Sequence, residues 1–147
     1  MTRLPAAARA WQARGVLEPL AGEPTWVLDQ PCAGDPDGPP VVLVHGFPTC
    51  GWDWRHLVAV LAPHRRVLVL DLPGYGSSAK PDRAYPLEDQ ARVVEAMVAT
   101  RGIEEVDLVT HDMGDSVGGA LLATDLDAGP DGGGLPFRVR RRVLTNG

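Results

Sequence analysis

Three short stretches dominated by apolar residues limit what this chain can fold into: "VVLVHG" at 41–46, "RRVLVLDLPG" at 65–74 and "VDLVT" at 106–110. A strand with one wet face alternates apolar and polar residues. These stretches do not alternate, so each reads as a strand buried on both faces. The segments between them carry a different period. Residues 52–62 place Trp54, Leu57, Val58 and Leu61 three and four apart, which is helical spacing. Residues 87–102 put Val93, Val94, Met97 and Val98 on one helical face, with Gly102 as a stop. A third helix is expected over 116–126, although Gly118 and Gly119 argue against it on propensity. Residues 138–147, "RVRRRVLTNG", begin polar and turn apolar and read as a fourth strand, after a loop at 128–134. Buried strands alternating with helices make the fold class α/β: a mostly parallel sheet with helices on both faces.

The remainder of the chain is weakly patterned. "GVLEPL" and "TWVLDQ" read as short strands at the edge of the sheet, and "AGDPDGPP" (33–40) as a turn. The length of 147 residues suits one domain of roughly 100–200. Residues 1–147 are therefore taken as part of a single core domain, with edge strands and turns in 1–37 and the motif-bearing core in 38–147. An apolar content of 44% excludes a disordered chain. A net charge of −5 with scattered basic residues gives no nucleic-acid footprint. Cys32 and Cys50 are too few for a disulfide scaffold and lack metal-site spacing, so two reduced thiols are expected and no metal or cofactor is indicated. No stretch approaches the roughly 20 apolar residues that span a bilayer, and the first 15 residues lack the apolar core of a signal peptide. The expectation is a soluble, cytoplasmic protein.

In sheets of this kind functional groups gather beyond the carboxyl ends of the strands. The unusual residues fall there: His45-Gly46, then Asp71 to Ser78, then His111-Asp112. The last of these raises a choice. "LVTHDMGDSVGG" (108–119) frames Asp112 as T-H-D-M-G and Ser116 as G-D-S-V-G. Both resemble a nucleophile on a sharp strand-to-helix turn, where small residues are needed two positions either side. The apolar run stops at Thr110, which puts Asp112 at the corner between Thr110 and Gly114. For Ser116 to take the corner, the strand would have to run on through Asp112. That would bury a carboxylate without an evident partner and stretch the strand well past the typical length of about 5–6 residues. The Asp112 register is favoured, with Ser116 in the first turn of the following helix.

These residues resemble the α/β-hydrolase superfamily over about 38–147. "HGFP" (45–48) resembles the family's HG-x-P loop, "DLPGYGSSAKP" (71–81) its D-x-x-G-x-G-x-S segment, and "THDMGDS" (110–116) the elbow of the branch in which Asp replaces Ser. That branch includes epoxide hydrolases and dehalogenases. The chain is also similar to the mesoderm-specific-transcript group, which shares the HGFPT start, the H-D-x-G-D elbow and a strand ending like "LTNG" (144–147). Asp115 suits that group better than epoxide hydrolases, where another Gly is usual. Haloalkane dehalogenases commonly hold halide with a Trp after the nucleophile and an Asn in the HG-x-P loop. Here Met113 and Phe47 occupy those places, which counts against that chemistry.

The resemblance implies a hydrolase acting on a small-molecule substrate, with no nucleic-acid or membrane partner. Asp112 would attack an sp³ carbon of an epoxide or halide and form an alkyl ester. Water, activated by a His, would then hydrolyse the ester. The backbone N–H groups of Phe47 and Met113 would form the oxyanion hole. Two alternatives stay open: a non-catalytic or fragmentary hydrolase-like protein with a binding role, and a Ser-dependent esterase using Ser116. Single residues also have plainer roles. Asp112 could be a helix N-cap. His45 and His111 read as scaffold histidines bonded to loop backbone, and His56 and His64 as exposed. Trp52 and Trp54 read as packing, and Asp71 and Ser78 as ordering their loop. Asp115 could cap the elbow helix or complement its dipole. The "RVRRR" run (138–142) reads as solvated arginines ahead of a strand.

By the family pattern, the acid and the base His come after a lid that would follow the "LTNG" strand. None of the four His present stands at that base position. The expectation is the N-terminal part of a hydrolase, inactive as it stands, with its last strand forming an exposed edge.

Overall fold

The apolar stretches form the middle of one sheet. The computed structural model describes residues 4–126 and 133–146. In chain order these form α1 (Ala6–Gln12), β1 (Val16–Leu20), β2 (Glu23–Gln30), β3 (Val41–Val44), a 3-10 turn (Gly51–Trp54) running into α2 (Arg55–Leu61), β4 (Val67–Leu70), α3 (Leu87–Ala99), β5 (Glu105–His111), α4 (Met113–Leu126) and β6 (Arg138–Thr145). The six strands order as β1-β2-β4-β3-β5-β6. The four strands from β4 to β6 are parallel, while β1 and β2 run antiparallel. This is the sheet expected from the sequence, mostly parallel with helices on both faces.

Alternation along the central strands divides the core in two. Val42, Val44, Leu68 and Leu70 face α3 and α4, where they bury Val93, Val94, Met97, Val98, Val117 and Leu121. Val41, Leu43, Val67 and Val69 face the other way, onto Trp11, Trp26 and Val58. Both faces of β3 and β4 are dry, which is why these strands show no alternation in the sequence.

Four details differ from the sequence reading. The helix α1 was not expected; its "AAARAWQ" is Ala-rich and so helix-favouring, and Trp11 docks on Trp26 with ring centroids 5.9 Å apart. Strand β2 lies inside the sheet between β1 and β4, not at its edge. Helix α4 begins at Met113, three residues before the expected start, and its glycines are packing residues. A Cβ on Gly114 would lie 2.5 Å from the Val44 carbonyl oxygen, and one on Gly118 would lie 2.9 Å from Thr110 Cγ2. Close approach of helix to sheet thus overrides the poor helix propensity of glycine. Finally, the arginine run lies inside β6 rather than ahead of a strand, and it is not simply solvated. Neighbouring β5 offers acids. Arg140 makes two bonds of 2.9 and 2.6 Å to Asp107, and Arg138 pairs with Glu105.

Of the expected loop at 128–134, residues 128–132 lie outside the described residues, as does Gly147 of the "LTNG" stretch. Strand β6 pairs only with β5 among the described strands, and Val143 and Leu144 are 51% and 54% exposed there. No helix of the described residues is long and apolar enough to cross a membrane.

Candidate active site

Asp112 occupies the single residue between the end of β5 and the start of α4. Its φ is 53°, in the left-handed region that costs a non-glycine residue roughly 1–2 kcal/mol and that Asp and Asn tolerate best. The surroundings impose this conformation. The Asp112 N–H donates to the Thr145 carbonyl at 3.2 Å, and the Asp112 carbonyl accepts from the Asp115 N–H at 2.8 Å. Gly46 makes room on the other side, where a Cβ would lie 2.6 Å from Asp112 Cβ. Ser116 lies inside α4 with an exposed side chain. The corner thus belongs to Asp112, in the register the strand length required.

Two backbone donors converge on the Asp112 carboxylate. Met113 N–H reaches Oδ1 at 2.6 Å and Phe47 N–H reaches the same oxygen at 2.9 Å. These are the two residues named from the family pattern, and the structure brings both to Asp112. The Met113 N–H first, and the Phe47 N–H second, hold the carboxyl below the usual aspartate range; partial desolvation opposes this and His111 adds a small electrostatic pull in the same direction as the donors. The Phe47–Pro48 peptide is cis. The Phe47 ring is 62% exposed and stands edge-on to Tyr75, whose hydroxyl lies 3.7 Å from Met113 Sδ.

The loops beneath are tied by buried polar groups. His45 accepts the Leu72 N–H at Nε2 (2.9 Å), which leaves its Nδ1 proton to donate to the Gly46 carbonyl (2.9 Å). Burial pushes its pKa down and keeps the ring neutral. His45 is a scaffold histidine, as expected. His111 is not bonded to loop backbone among the described residues; its ring instead stands edge-on to Trp54 at 6.4 Å. Asp71 accepts the N–H groups of Gly51 and Ser77, each at 2.7 Å. Ser78 Oγ donates to the Asp71 carbonyl and accepts the Trp26 N–H at 2.8 Å. Asp71 and Ser78 do order their loop, and they also fasten it to the 3-10 turn and to β2. His56 and His64 are exposed. Trp52 and Trp54 pack against the second core.

The sequence reading missed one group. Thr110 Oγ1 donates to Asp115 Oδ1, and Arg142 Nη2 donates to the Asp115 carbonyl. Asp115 does lie in the first turn of α4, where a carboxylate complements the helix dipole. Its side chain, however, is turned to Thr110. An open cleft of about 600 Å³ beside Asp112 is lined by Met113, Asp115, Ser116, Arg142, Leu144 and Asn146.

Known proteins share this fold. The family model for the alpha/beta hydrolase fold matches residues 39–147. The putative hydrolase LipZ of Mycobacterium tuberculosis (strain ATCC 25618 / H37Rv) is 39% identical over 140 residues, covering 95% of this chain and 45% of its own length. A haloalkane dehalogenase of Agrobacterium fabrum is 44% identical over 81 residues, 55% of this chain and 27% of the relative. The mesoderm-specific transcript homolog protein of Bos taurus is 41% identical over 86 residues, 56% of this chain and 26% of that protein. Among solved structures, the epoxide hydrolase CorEH superposes with a TM-score of 0.72 at 26% identity, over 88% of this chain and 41% of that one. The chain spans less than half the length of these relatives. A family match over most of the chain, on a sheet and elbow of this geometry, makes the protein a member of the α/β-hydrolase fold family.

Proposed function

We propose that Asp112 is the nucleophile of an α/β-fold hydrolase that opens an epoxide or displaces a halide. The observation that carries this reading is the unequal state of the two carboxylate oxygens. Oδ1 accepts both backbone donors, while Oδ2 accepts no hydrogen bond from the described residues. Oδ2 is free to attack an sp³ carbon from behind the departing oxygen or halide. The new C–O bond forms as the carbon–leaving-group bond breaks, and Oδ1 becomes the ester carbonyl oxygen. That oxygen already sits between the Phe47 and Met113 N–H groups, which would stabilise the oxyanion formed when water later adds to the ester. Both chemistries are supported by the relatives, which include haloalkane dehalogenases and an epoxide hydrolase.

Halide displacement needs only the carboxylate, the halide leaving into solvent, and epoxide opening in addition takes a proton from water onto the departing ring oxygen, whereas hydrolysis of the ester needs a general base. His45 is closed to that role because both its ring nitrogens are engaged with backbone. By the family resemblance none of the four His stands at the base position, so the reading assigns residues 1–147 the first half-reaction. The test is halide release from a halogenated acid. The reading expects at most one equivalent per chain, lost in Asp112→Asn and kept in Ser116→Ala. Loss in Ser116→Ala with retention in Asp112→Asn would establish the serine register instead. A stable, folded chain that neither releases halide nor opens an epoxide would favour the binding protein.

A further inference from the structure

We propose that Thr110 and Asp115, braced by Arg142, form a side-chain clamp that positions Met113 N–H on the Asp112 carboxylate. Thr110 lies two residues before the corner and Asp115 three after it. The bond from Thr110 Oγ1 to Asp115 Oδ1 therefore closes a ring around Asp112. Both residues are buried, at 0% and 8% exposure. The ring is fastened to β6 from both sides. Thr145 Oγ1 donates to the Thr110 carbonyl at 3.0 Å, and Arg142 donates to the Asp115 carbonyl.

The chemistry at Asp115 argues for more than packing. Its second oxygen, Oδ2, is buried and has no hydrogen-bond partner among the described residues. An under-bonded buried carboxylate is a net cost that an alanine or glycine would avoid. The geometry points to what offsets it. Met113 lies between Asp112 and Asp115 as the first residue of α4, so whatever fixes the first turn of that helix fixes the Met113 N–H. That donor lies 2.6 Å from Asp112 Oδ1, and a hydrogen bond weakens steeply with displacement or misalignment. Thr110 and Asp115 are therefore positioning residues: they act on the carboxylate through Met113 and do not themselves touch reacting atoms.

This inference takes Asp112 to be the working carboxylate of the proposed function, but its test measures no chemistry, so the two can fail separately. The Asp112 carboxyl is titrated by carbon NMR in the 147-residue chain, its signal identified by its loss in Asp112→Asn. Thr110→Val removes the hydroxyl and keeps the shape; it should raise the Asp112 pKa toward the ordinary aspartate value, and Thr110→Ser should keep it lowered. Asp115→Asn and Asp115→Ala remove the same charge, but only Asn keeps an acceptor for Thr110. The Ala variant should titrate higher than the Asn variant, a comparison that decides the matter even where Thr110→Val does not fold. Loss of charge alone would move both variants alike. Titration of Thr110→Val like the unsubstituted chain, an equal shift in Thr110→Ser, or identical values for the two Asp115 variants would overturn the proposal.

Discussion

Asp112 combines a left-handed backbone, two backbone donors on one oxygen and a second oxygen that accepts no hydrogen bond from the described residues. Asn shares the tolerance of Asp for that conformation. Asp112→Asn should therefore leave the urea denaturation midpoint close to that of the unsubstituted chain. Its effect on alkylation should be complete, because an amide is not a nucleophile here. The donors also set a pH dependence. They hold the carboxyl below its ordinary value, so Asp112 stays ionised across neutral and mildly acidic pH. Alkylation should be flat through that range and fall only as pH drops through the lowered value; a fall centred near neutrality in the rate profile would mean that another group controls the step. At this scale the residue that takes the corner was legible, because the apolar run stops at Thr110. The Thr110–Asp115 bond was not, because letters five apart do not reveal a contact that exists only when the chain turns a corner between them.

Among the elements, the pairing of β5 with β6 holds the Asp112 side of the site. Its far end is fixed by Asp107, which accepts from Arg140 and from Arg65, the latter at 2.7 Å. Arg140 first, then Arg65, holds the Asp107 carboxyl below its ordinary range. The linkage follows from that direction. The stability it contributes is fully present above the unfolded carboxyl pKa and is lost as pH falls through the lowered folded value. Removing the shared acid leaves Arg140 and Arg65 without their partner, so Asp107→Asn should lower stability at neutral pH and flatten the acid limb of the stability profile. Urea midpoints for both chains from neutral to acid pH check both effects. Strand and helix periods showed these elements clearly, but not their fine placement. The early start of α4 was hidden because Gly114 and Gly118 read as helix weakeners until the sheet they pack against is known. The arginines of β6 read as solvated until β5 supplied their acids.

For the whole molecule, a six-stranded sheet is buried on both faces through its centre and ends at β6 with one edge unpaired among the described strands. An edge strand with exposed Val143 and Leu144 is a template for pairing with another chain. The chain should associate as concentration rises, and Val143→Lys should reduce that association without lowering thermal stability, as sedimentation velocity and melting would show. Fold class was readable at this scale because buried strands alternating with helices admit few architectures. The helix α1 and the interior place of β2 were not, because residues 1–40 carry too little periodicity to show which face they bury.

The central claim is that the carboxylate at the corner is the group that attacks carbon. Peptide mass mapping of the chain after exposure to a simple epoxide tests it directly. The account predicts an adduct of the epoxide's full mass on the peptide carrying Asp112, assigned to that residue by fragmentation, removed by base as an ester would be, and absent from Asp112→Asn. An adduct on Ser116, or an Asp112 left unmodified in a folded chain while only the cysteines react, would contradict it.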